Sequence, residues 1–296
     1  MPAQIMITGA TGFLGSHLLK FIINKTDYNV ILLKRSFSNL SKISDLISNK
    51  RVKMFNIDEN SLGEAFRGGV NAIIHCATDY GREGKCTSVL ETNLIFPVSL
   101  LELACDNNVQ LFINTDSYFN KNNLSYLYLE NYSLSKKTLN LWLKNFSKKI
   151  KVINLVLEHI YGNGDSNKKF VTTMIDKIAL EQVDSIDITY GDQKRDFIFI
   201  DDVCNAYLKA LEYGLNTNFH YKSFEVGTGI PVKINDFVSK IKKLSNSNTK
   251  INFGAIPYRD DEIMISVADN LDLINLGWKP EYDLENGLIE ILKRGV

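Results

Sequence analysis

Along the first 157 residues the apolar positions fall into two alternating patterns. Short, nearly continuous apolar runs occupy Gln4–Thr8, Val30–Leu33, Lys53–Asn56, Ala72–His75, Leu111–Asn114 and Lys151–Leu157. Between them, Phe13–Ile23, Leu40–Ile47, Cys86–Asp106 and Tyr132–Phe146 carry apolar residues at helical spacing. Strands that are apolar on both faces and separated by helices form a parallel sheet covered on both sides. The pattern therefore predicts an α/β fold built on a doubly wound parallel sheet.

The second half is less regular. Helices are expected at Phe170–Leu180, Asp201–Glu212, Ile234–Leu244, Leu271–Leu276 and Leu284–Leu292. Strands are expected near Ser185–Thr189 and at Phe224–Val226, the latter running into Gly227-Thr228-Gly229. No repeat, low-complexity tract or linker interrupts the chain. The expected division is a sheet domain over residues 1–157, rejoined by about 194–228. A smaller C-terminal lobe is expected from 158–193 and 229–296.

Composition narrows the partners. The chain has 296 residues, 45% hydrophobic and 23% charged, which suits one large globular domain or two ordinary ones. Its 34 Lys+Arg balance 34 Asp+Glu, which argues against a nucleic acid or a membrane surface recognised by gross charge. Cys76, Cys86, Cys105 and Cys204 form no C-x-x-C pair and show no ligand-like spacing with histidine. Neither a disulfide framework nor a metal site is expected, and a reducing, cytoplasmic location fits. The N-terminus lacks the basic start of a signal peptide, and no run approaches the ~18 uninterrupted apolar residues of a spanning helix.

The first chemical motif is Gly9-Ala10-Thr11-Gly12-Phe13-Leu14-Gly15, directly after the first strand and opening the first helix. Glycines spaced three apart let the backbone turn tightly and approach a pyrophosphate. The helix N-terminus then offers N–H groups and a positive dipole end. This is the fingerprint of a dinucleotide-binding Rossmann domain, with a ligand-free glycine turn as the plain alternative. An NAD site would carry Asp or Glu at the end of the second strand. Here Lys34-Arg35-Ser36 stands there, which suits a 2′-phosphate and predicts NADPH, unless both cations are simply solvated. Asp58, after the third strand, is either an adenine contact or an ordinary turn aspartate.

The second motif is Tyr132-Ser-Leu-Ser-Lys136, a phenol and an ammonium four residues apart on one helix face. A lysine beside a tyrosine favours the phenolate and should draw the phenol pKa down from about 10 toward neutrality. Together with the glycine motif and a hydroxyl-bearing segment after the fifth strand, this pair is specific.

These features resemble the extended short-chain dehydrogenases/reductases of the NAD-dependent epimerase/dehydratase type, which act on nucleotide sugars. The resemblance spans essentially the whole chain, from TGATGFLG at Thr8–Gly15 to RDFIFIDD at Arg195–Asp202. It implies that Tyr132 donates or accepts the proton and that Lys136 holds the nicotinamide ribose. A Ser or Thr orients the substrate oxygen. The run Val109–Ser117 places that hydroxyl at Ser117, with Thr115 as the rival because Thr115-Asp116 imitates the start of a T-D-E elimination motif. A glutamate needed for elimination is replaced by Ser117. Ala77, Tyr132 and Lys136 complete the implied cofactor set.

Further segments narrow the resemblance to reductases of CDP-linked 4-keto-3,6-dideoxysugars, which use NADPH and feed O-antigen assembly. They are Ala77–Gly81, Asn114–Phe119, Leu157–Gly162, Arg259–Met264 and Gly277–Pro280. The resemblance implies diphosphate contacts from Arg195 and Arg259, whose alternative is a salt bridge to Asp196 or Asp260. Thr78 and Tyr80, with Arg82, are candidates for the sugar pocket. His159 replaces the family's asparagine and is either a substrate contact or a core histidine. Asn93 matches an asparagine that bends the helix near the site.

Val89–Ala104 is apolar almost all round, which, with Trp142, Leu143 and Phe146, suits a homodimer or burial within one chain. A sugar 4-epimerase holding NAD and a noncatalytic NADP-binding regulator are the competing readings. The configuration at C4 and the nucleotide carrier stay open.

Overall fold

The computed structural model describes residues 2–82, 84–121 and 128–294. The first half runs β1 (Gln4–Thr8), α1 (Phe13–Lys25), β2 (Asn29–Lys34), β3 (Val52–Asn56) and β4 (Ala72–His75). There follow α2 (Cys86–Leu90), α3 (Phe96–Asp106), β5 (Leu111–Ser117), α4 (Glu130–Phe146) and β6 (Lys151–Leu157). The second half adds β7 (His159–Tyr161), α5 (Phe170–Ile175), β8 (Ser185–Ile188), β9 (Lys194–Phe199), α6 (Ile200–Asn216) and β10 (Tyr221–Val226). It ends with β11 (Pro231–Lys233), α7 (Ile234–Leu244), β12 (Lys250–Phe253), α8 (Leu271–Asn275) and α9 (Leu284–Arg294).

Seven strands form one sheet in the order β10-β6-β5-β4-β1-β2-β3. The chain enters at β1, builds outward to β3, then returns to β4 on the other side of β1. Ile5 pairs with Val30 on one flank and Ala72 on the other, both parallel. Val152 N–H donates to His220 O at 2.9 Å and Glu158 N–H to Val226 O at 3.0 Å, the constant offset of a parallel neighbour. This is the doubly wound sheet predicted from the apolar pattern. Its switch point lies between β1 and β4, where such folds bind ligands at the carboxyl ends of the strands.

The strands are apolar because helices cover both faces. Met6, Ile73, Phe112 and Val152 from the sheet pack with Leu100, Leu101 and Ala104 of α3 and Leu139 and Leu143 of α4. The helical run Cys86–Asp106 is long and apolar enough to cross a membrane by length and composition. It serves here as one wall of this core, and a π-helical turn at Glu91–Ile95 separates α2 from α3. The expected helix Leu40–Ile47 is instead a 3-10 segment, Ser41–Leu46.

Two compact units emerge. One comprises the chain up to Val156 with Cys204–Phe224 and Leu276–Trp278; the other comprises Leu157–Val203, Glu225–Asn275 and the chain from Lys279 on. The second unit holds a three-stranded sheet, β11-β9-β7, and a parallel pair, β12-β8. Since β9 lies in that sheet, the chain rejoins the first unit at Cys204, later than the expected residue 194.

Asp196 organises the second unit from a fully buried position on β9. Its carboxylate accepts the N–H of Thr228 (2.8 Å), Gly229 (2.9 Å) and Ala268 (3.2 Å) and the Thr228 hydroxyl (2.6 Å). Burial pushes its pKa up, and these hydrogen bonds oppose the shift. Removing the carboxylate takes the acceptor from three N–H groups, that of the buried Ala268 among them. Asp196→Ala is expected to cost roughly 3 kcal/mol or more. Denaturant titration measures that loss, and limited proteolysis should cut first near Thr228 or Ala268.

Candidate active site

β1 ends at Thr8, whose Oγ1 accepts the N–H of Cys76 (3.2 Å) and Ala77 (3.1 Å) and pairs with His75 Nδ1 (2.9 Å). One hydroxyl thus pins together the carboxyl ends of β1 and β4. Gly9 then turns the chain at φ +71°, and a Cβ there would lie 2.6 Å from Ala77 N. A Cβ on Gly15 would overlap the Gly9 carbonyl oxygen, whereas Gly12 has more room at 3.3 Å. Gly12 N-caps α1, and no side chain caps that terminus. The result is a backbone cradle with a helix dipole behind it, which fits a dinucleotide pyrophosphate lying against Gly9–Gly15.

At the end of β2 the three polar residues differ in use. Lys34 Nζ donates to Asn56 Oδ1 (2.6 Å) and to the Arg35 carbonyl (3.2 Å), bracing β2 on β3. Ser36 donates through N–H and Oγ to the two oxygens of Asp58, each at 2.7 Å, and its hydroxyl holds that carboxyl below its usual pKa. Arg35 is exposed, with its guanidinium 4.9 Å over the exposed Phe37 ring. Of the two cations expected to meet a phosphate, Arg35 is the one facing outward.

α4 carries Tyr132 and Lys136 on one buried face, at 5% and 3% exposure. Lys136 Nζ donates to the Thr115 carbonyl (2.7 Å) and lies 5.8 Å from the Tyr132 ring centre. Ser117 hydrogen-bonds the Tyr132 phenol, and its Oγ accepts the Phe119 N–H at 3.4 Å. The Thr115 hydroxyl is engaged elsewhere, with Tyr207 Oη at 2.6 Å and Cys76 Sγ at 3.5 Å. Tyr80 stacks on Tyr132 with centroids 4.9 Å apart, and Phe119 meets it edge-on at 6.2 Å. Arg82 sits over Tyr80 at 5.4 Å.

The electrostatics depart from the sequence expectation. Burial drives the Tyr132 phenol well above its ordinary pKa, Tyr80 adds to this, and the Ser117 hydrogen bond opposes it. Burial also lowers the Lys136 pKa, against the pull of Asp116 and Cys76. Desolvation therefore outweighs the effect of the nearby ammonium, and the predicted lowering of the Tyr132 pKa is replaced by a rise. Cys76 is pushed to about 11 and His75 down to about 3, both by burial first.

The loop after β4 is tied to two helices by Asn93, fully buried in the π-helical turn. Its Oδ1 accepts from Asp79 N–H (2.7 Å) and the Thr78 hydroxyl (3.3 Å), while its Nδ2 donates to Asp79 O (2.8 Å) and Ser135 Oγ (3.0 Å). The Thr78 hydroxyl thus helps fix the loop that delivers Tyr80 to the tyrosine ring.

In the second unit Arg195 is buried and forms an ion pair with Glu262, while also donating to the Lys194 carbonyl at 2.9 Å. Its partner is neither adjacent aspartate considered from sequence, since Asp196 is committed to the Thr228 and Ala268 loops. Arg259 is exposed, and its carbonyl accepts the Glu262 N–H at 3.1 Å, so its turn places the carboxylate. His159 meets Phe197 edge-on at 5.8 Å, 3.8 Å from Glu158, and burial lowers its pKa.

The sequence matches the family described as "NAD dependent epimerase/dehydratase family" over residues 5–227. This chain belongs to that family. A CDP-abequose synthase of Salmonella muenchen is 39% identical over 294 residues, covering 98% of this chain and 97% of that protein. A CDP-abequose synthase of Salmonella typhimurium is 36% identical over 304 residues, covering 99% of each. Among solved structures, UDP-glucuronic acid 4-epimerase of Bacillus cereus, in complex with UDP-glucuronic acid and NAD, superposes with a TM-score of 0.85. It is 22% identical over 99% of this chain and 98% of that one, and shows the shared fold.

Membership in the epimerase/dehydratase family and the glycine cradle together make a nicotinamide dinucleotide the cofactor class. Three residues of this family member carry more than their sequence positions announce: Glu262, Asp116 and Tyr207. Each has a partner distant along the chain; Asp116 left a trace in the Thr115-Asp116 pair and Glu262 in the Arg259–Met264 segment. Because a methyl at position 15 has nowhere to go, Gly15→Ala should abolish NAD(P)H binding. Fluorescence titration of the reduced nicotinamide measures this, with circular dichroism showing that the sheet persists.

Proposed function

We propose that this chain is an NADPH-dependent nucleotide-sugar 4-ketoreductase. Its substrate is CDP-4-dehydro-3,6-dideoxy-D-glucose and its product CDP-abequose. The observation that carries this reading is the Ser117–Tyr132–Lys136 arrangement in a chain so similar, over nearly its whole length, to two proteins of that name. NADPH, when bound, supplies the hydride that reaches C4 of the sugar. Tyr132 donates the proton to the oxygen that becomes the hydroxyl. A phenol whose pKa is raised by burial keeps that proton at neutral pH, which suits the reducing direction.

Ser117 hydrogen-bonds the same oxygen, so the developing charge meets a fixed donor. Lys136, anchored on the Thr115 carbonyl, holds the nicotinamide ribose and favours the phenolate left after proton transfer. Gly9, Thr11, Gly12, Phe13, Leu14 and Gly15 form the turn that holds the pyrophosphate, with Ala77 behind it. Arg35 takes the 2′-phosphate. Lys34 and Asp58 support it by bracing the strand and the Ser36 turn. A 4-epimerase holding NAD would want an acidic residue where this cation stands.

Arg195 and Arg259 bind the substrate diphosphate, Arg195 by exchanging its Glu262 contact for phosphate oxygens. Tyr80 and Thr78 contact the sugar. Leu90, Ile95, Leu134, Leu141 and Trp142 are exposed apolar residues on α2, the π-helical turn and α4, and support a homodimer through these helices. A cytoplasmic enzyme supplying O-antigen synthesis is the corresponding setting.

The deciding experiment generates the CDP-linked 4-keto-3,6-dideoxysugar, adds NADPH, and assigns the C4 configuration of the product by NMR. The abequose configuration is expected; unchanged substrate and cofactor refute the reading. Tyr132→Phe should lower kcat by about 10²–10⁴ with NADPH Kd nearly unchanged. Ser117→Ala should cost far more kcat than Thr115→Val under the same assay. Arg35→Ala should raise the NADPH KM about tenfold and leave the NADH KM unaltered, as removal of a single charge-assisted phosphate contact would.

A further inference from the structure

We propose that Asp116 is a positioning residue for the reduction. Its buried carboxylate fixes the Ser117 peptide and supplies the negative charge that faces Lys136 and Tyr132. This rests on the reductase reading of the Ser117–Tyr132–Lys136 site.

The geometry starts from the place of Asp116 on β5, between the two residues that serve the site. Thr115 offers its carbonyl to Lys136, and Ser117 offers its hydroxyl to Tyr132. Asp116 itself is 3% exposed. Its Oδ1 accepts the Ser117 N–H at 2.8 Å. Its Oδ2 accepts Asn120 Nδ2 at 2.9 Å and Asn154 Nδ2 at 2.8 Å. Asn154, on β6, is held in turn by Asn114 Nδ2 at 2.7 Å. A carboxyl that accepts from three donors has the bonding of the ionised form.

Sealing a carboxylate inside a protein is costly unless donors and a counter-charge face it. The donors here are amides, and the facing cation is Lys136. The groups around Lys136 are Asp116 of β5, Cys76 after β4 and His75 of β4. Those around Tyr132 are Tyr80, Ser117, Asp116 and Tyr118. Asp116 is the carboxylate common to both sets, and its charge raises the pKa of each group. It therefore favours the protonated phenol and the ammonium together, the combination that reduction requires at the start of a turnover. Both carboxylate oxygens are held by amide donors within the first unit.

Removing the charge should lower both pKa values, so the alkaline limb of the rate profile moves to lower pH. A residue that merely supported the loop would change the rate without moving that limb. The test compares wild type, Asp116→Asn, Asp116→Glu and Asn120→Ala by two readouts. One is the 13Cε NMR titration of Lys136 in the free protein, assigned by loss of its signal in Lys136→Met. The other is the pH profile of kcat with NADPH and the CDP-linked 4-ketosugar.

Asp116→Asn is expected to lower the Lys136 pKa and the alkaline limb by about one unit. Its kcat at neutral pH should fall about tenfold, with KM changed much less. Asn120→Ala, which keeps the charge, should leave both titrations in place, and Asp116→Glu should restore the Lys136 pKa. An unmoved Lys136 titration in Asp116→Asn overturns the proposal. Should that variant fail to fold, a wild-type Lys136 already neutral at pH 7.5 overturns it. A Lys136 still charged there in both wild type and Asp116→Glu supports it. Wild-type protein that leaves the ketosugar untouched overturns the reductase reading, and the Lys136 titration then separately decides the part of Asp116.

Discussion

The close approach of Gly9 to Ala77, locked by the Thr8 hydroxyl, is the constraint on which the first unit depends. β1 and β4 are neighbours in the sheet although β2 and β3 intervene in the chain. Their carboxyl ends can meet only if position 9 has no side chain and if the two N–H groups after β4 find an acceptor. Thr8 supplies it. The same junction launches the loop that Asn93 ties to the helices and that lays Tyr80 on Tyr132. The glycine turn and the Tyr80–Tyr132 stack thereby both start from the adjacent ends of β1 and β4.

Burial sets the chemistry of that ring. Tyr132 and Lys136 are both nearly sealed from water, and desolvation pushes each toward its neutral form: the phenol up, the amine down. Asp116 and Cys76 pull the amine back, while Ser117 gives the phenol a hydrogen-bond partner. The pair is tuned by what surrounds it more than by its spacing along the helix. This is why the simple lysine-lowers-tyrosine argument has the wrong sign in the free protein.

That reversal marks the boundary of what a sequence can say. The six core strands and the glycine turn were legible because parallel strands buried on both faces need continuous apolar runs. Ser117 and Tyr132 were legible as residue types at recognisable distances from strand and helix. Much of the second unit was not. β7 and β11 have three residues each, and no strand period shows in the KRDFIF of β9. Glu262 finds Arg195 from 67 positions away, and Tyr207 finds Thr115 from 92. No local pattern encodes such partnerships. Lys34 and Arg35 look equivalent in sequence, and only the neighbouring β3 reveals that Asn56 engages the first and leaves the second outward.

Zero net charge acquires a local meaning from these pairs. A guanidinium as deeply buried as that of Arg195 cannot stand without a counter-charge, and Glu262 provides one when no phosphate is present. The carboxylate is carried on the turn that follows Arg259, whose carbonyl accepts the Glu262 N–H. On the proposed reading, a diphosphate at Arg195 would have to share or displace Glu262, and its net gain would be the difference between two charge-assisted contacts. Arg35 faces outward over an aromatic ring, and on the proposed reading a phosphate there would have no carboxylate to displace.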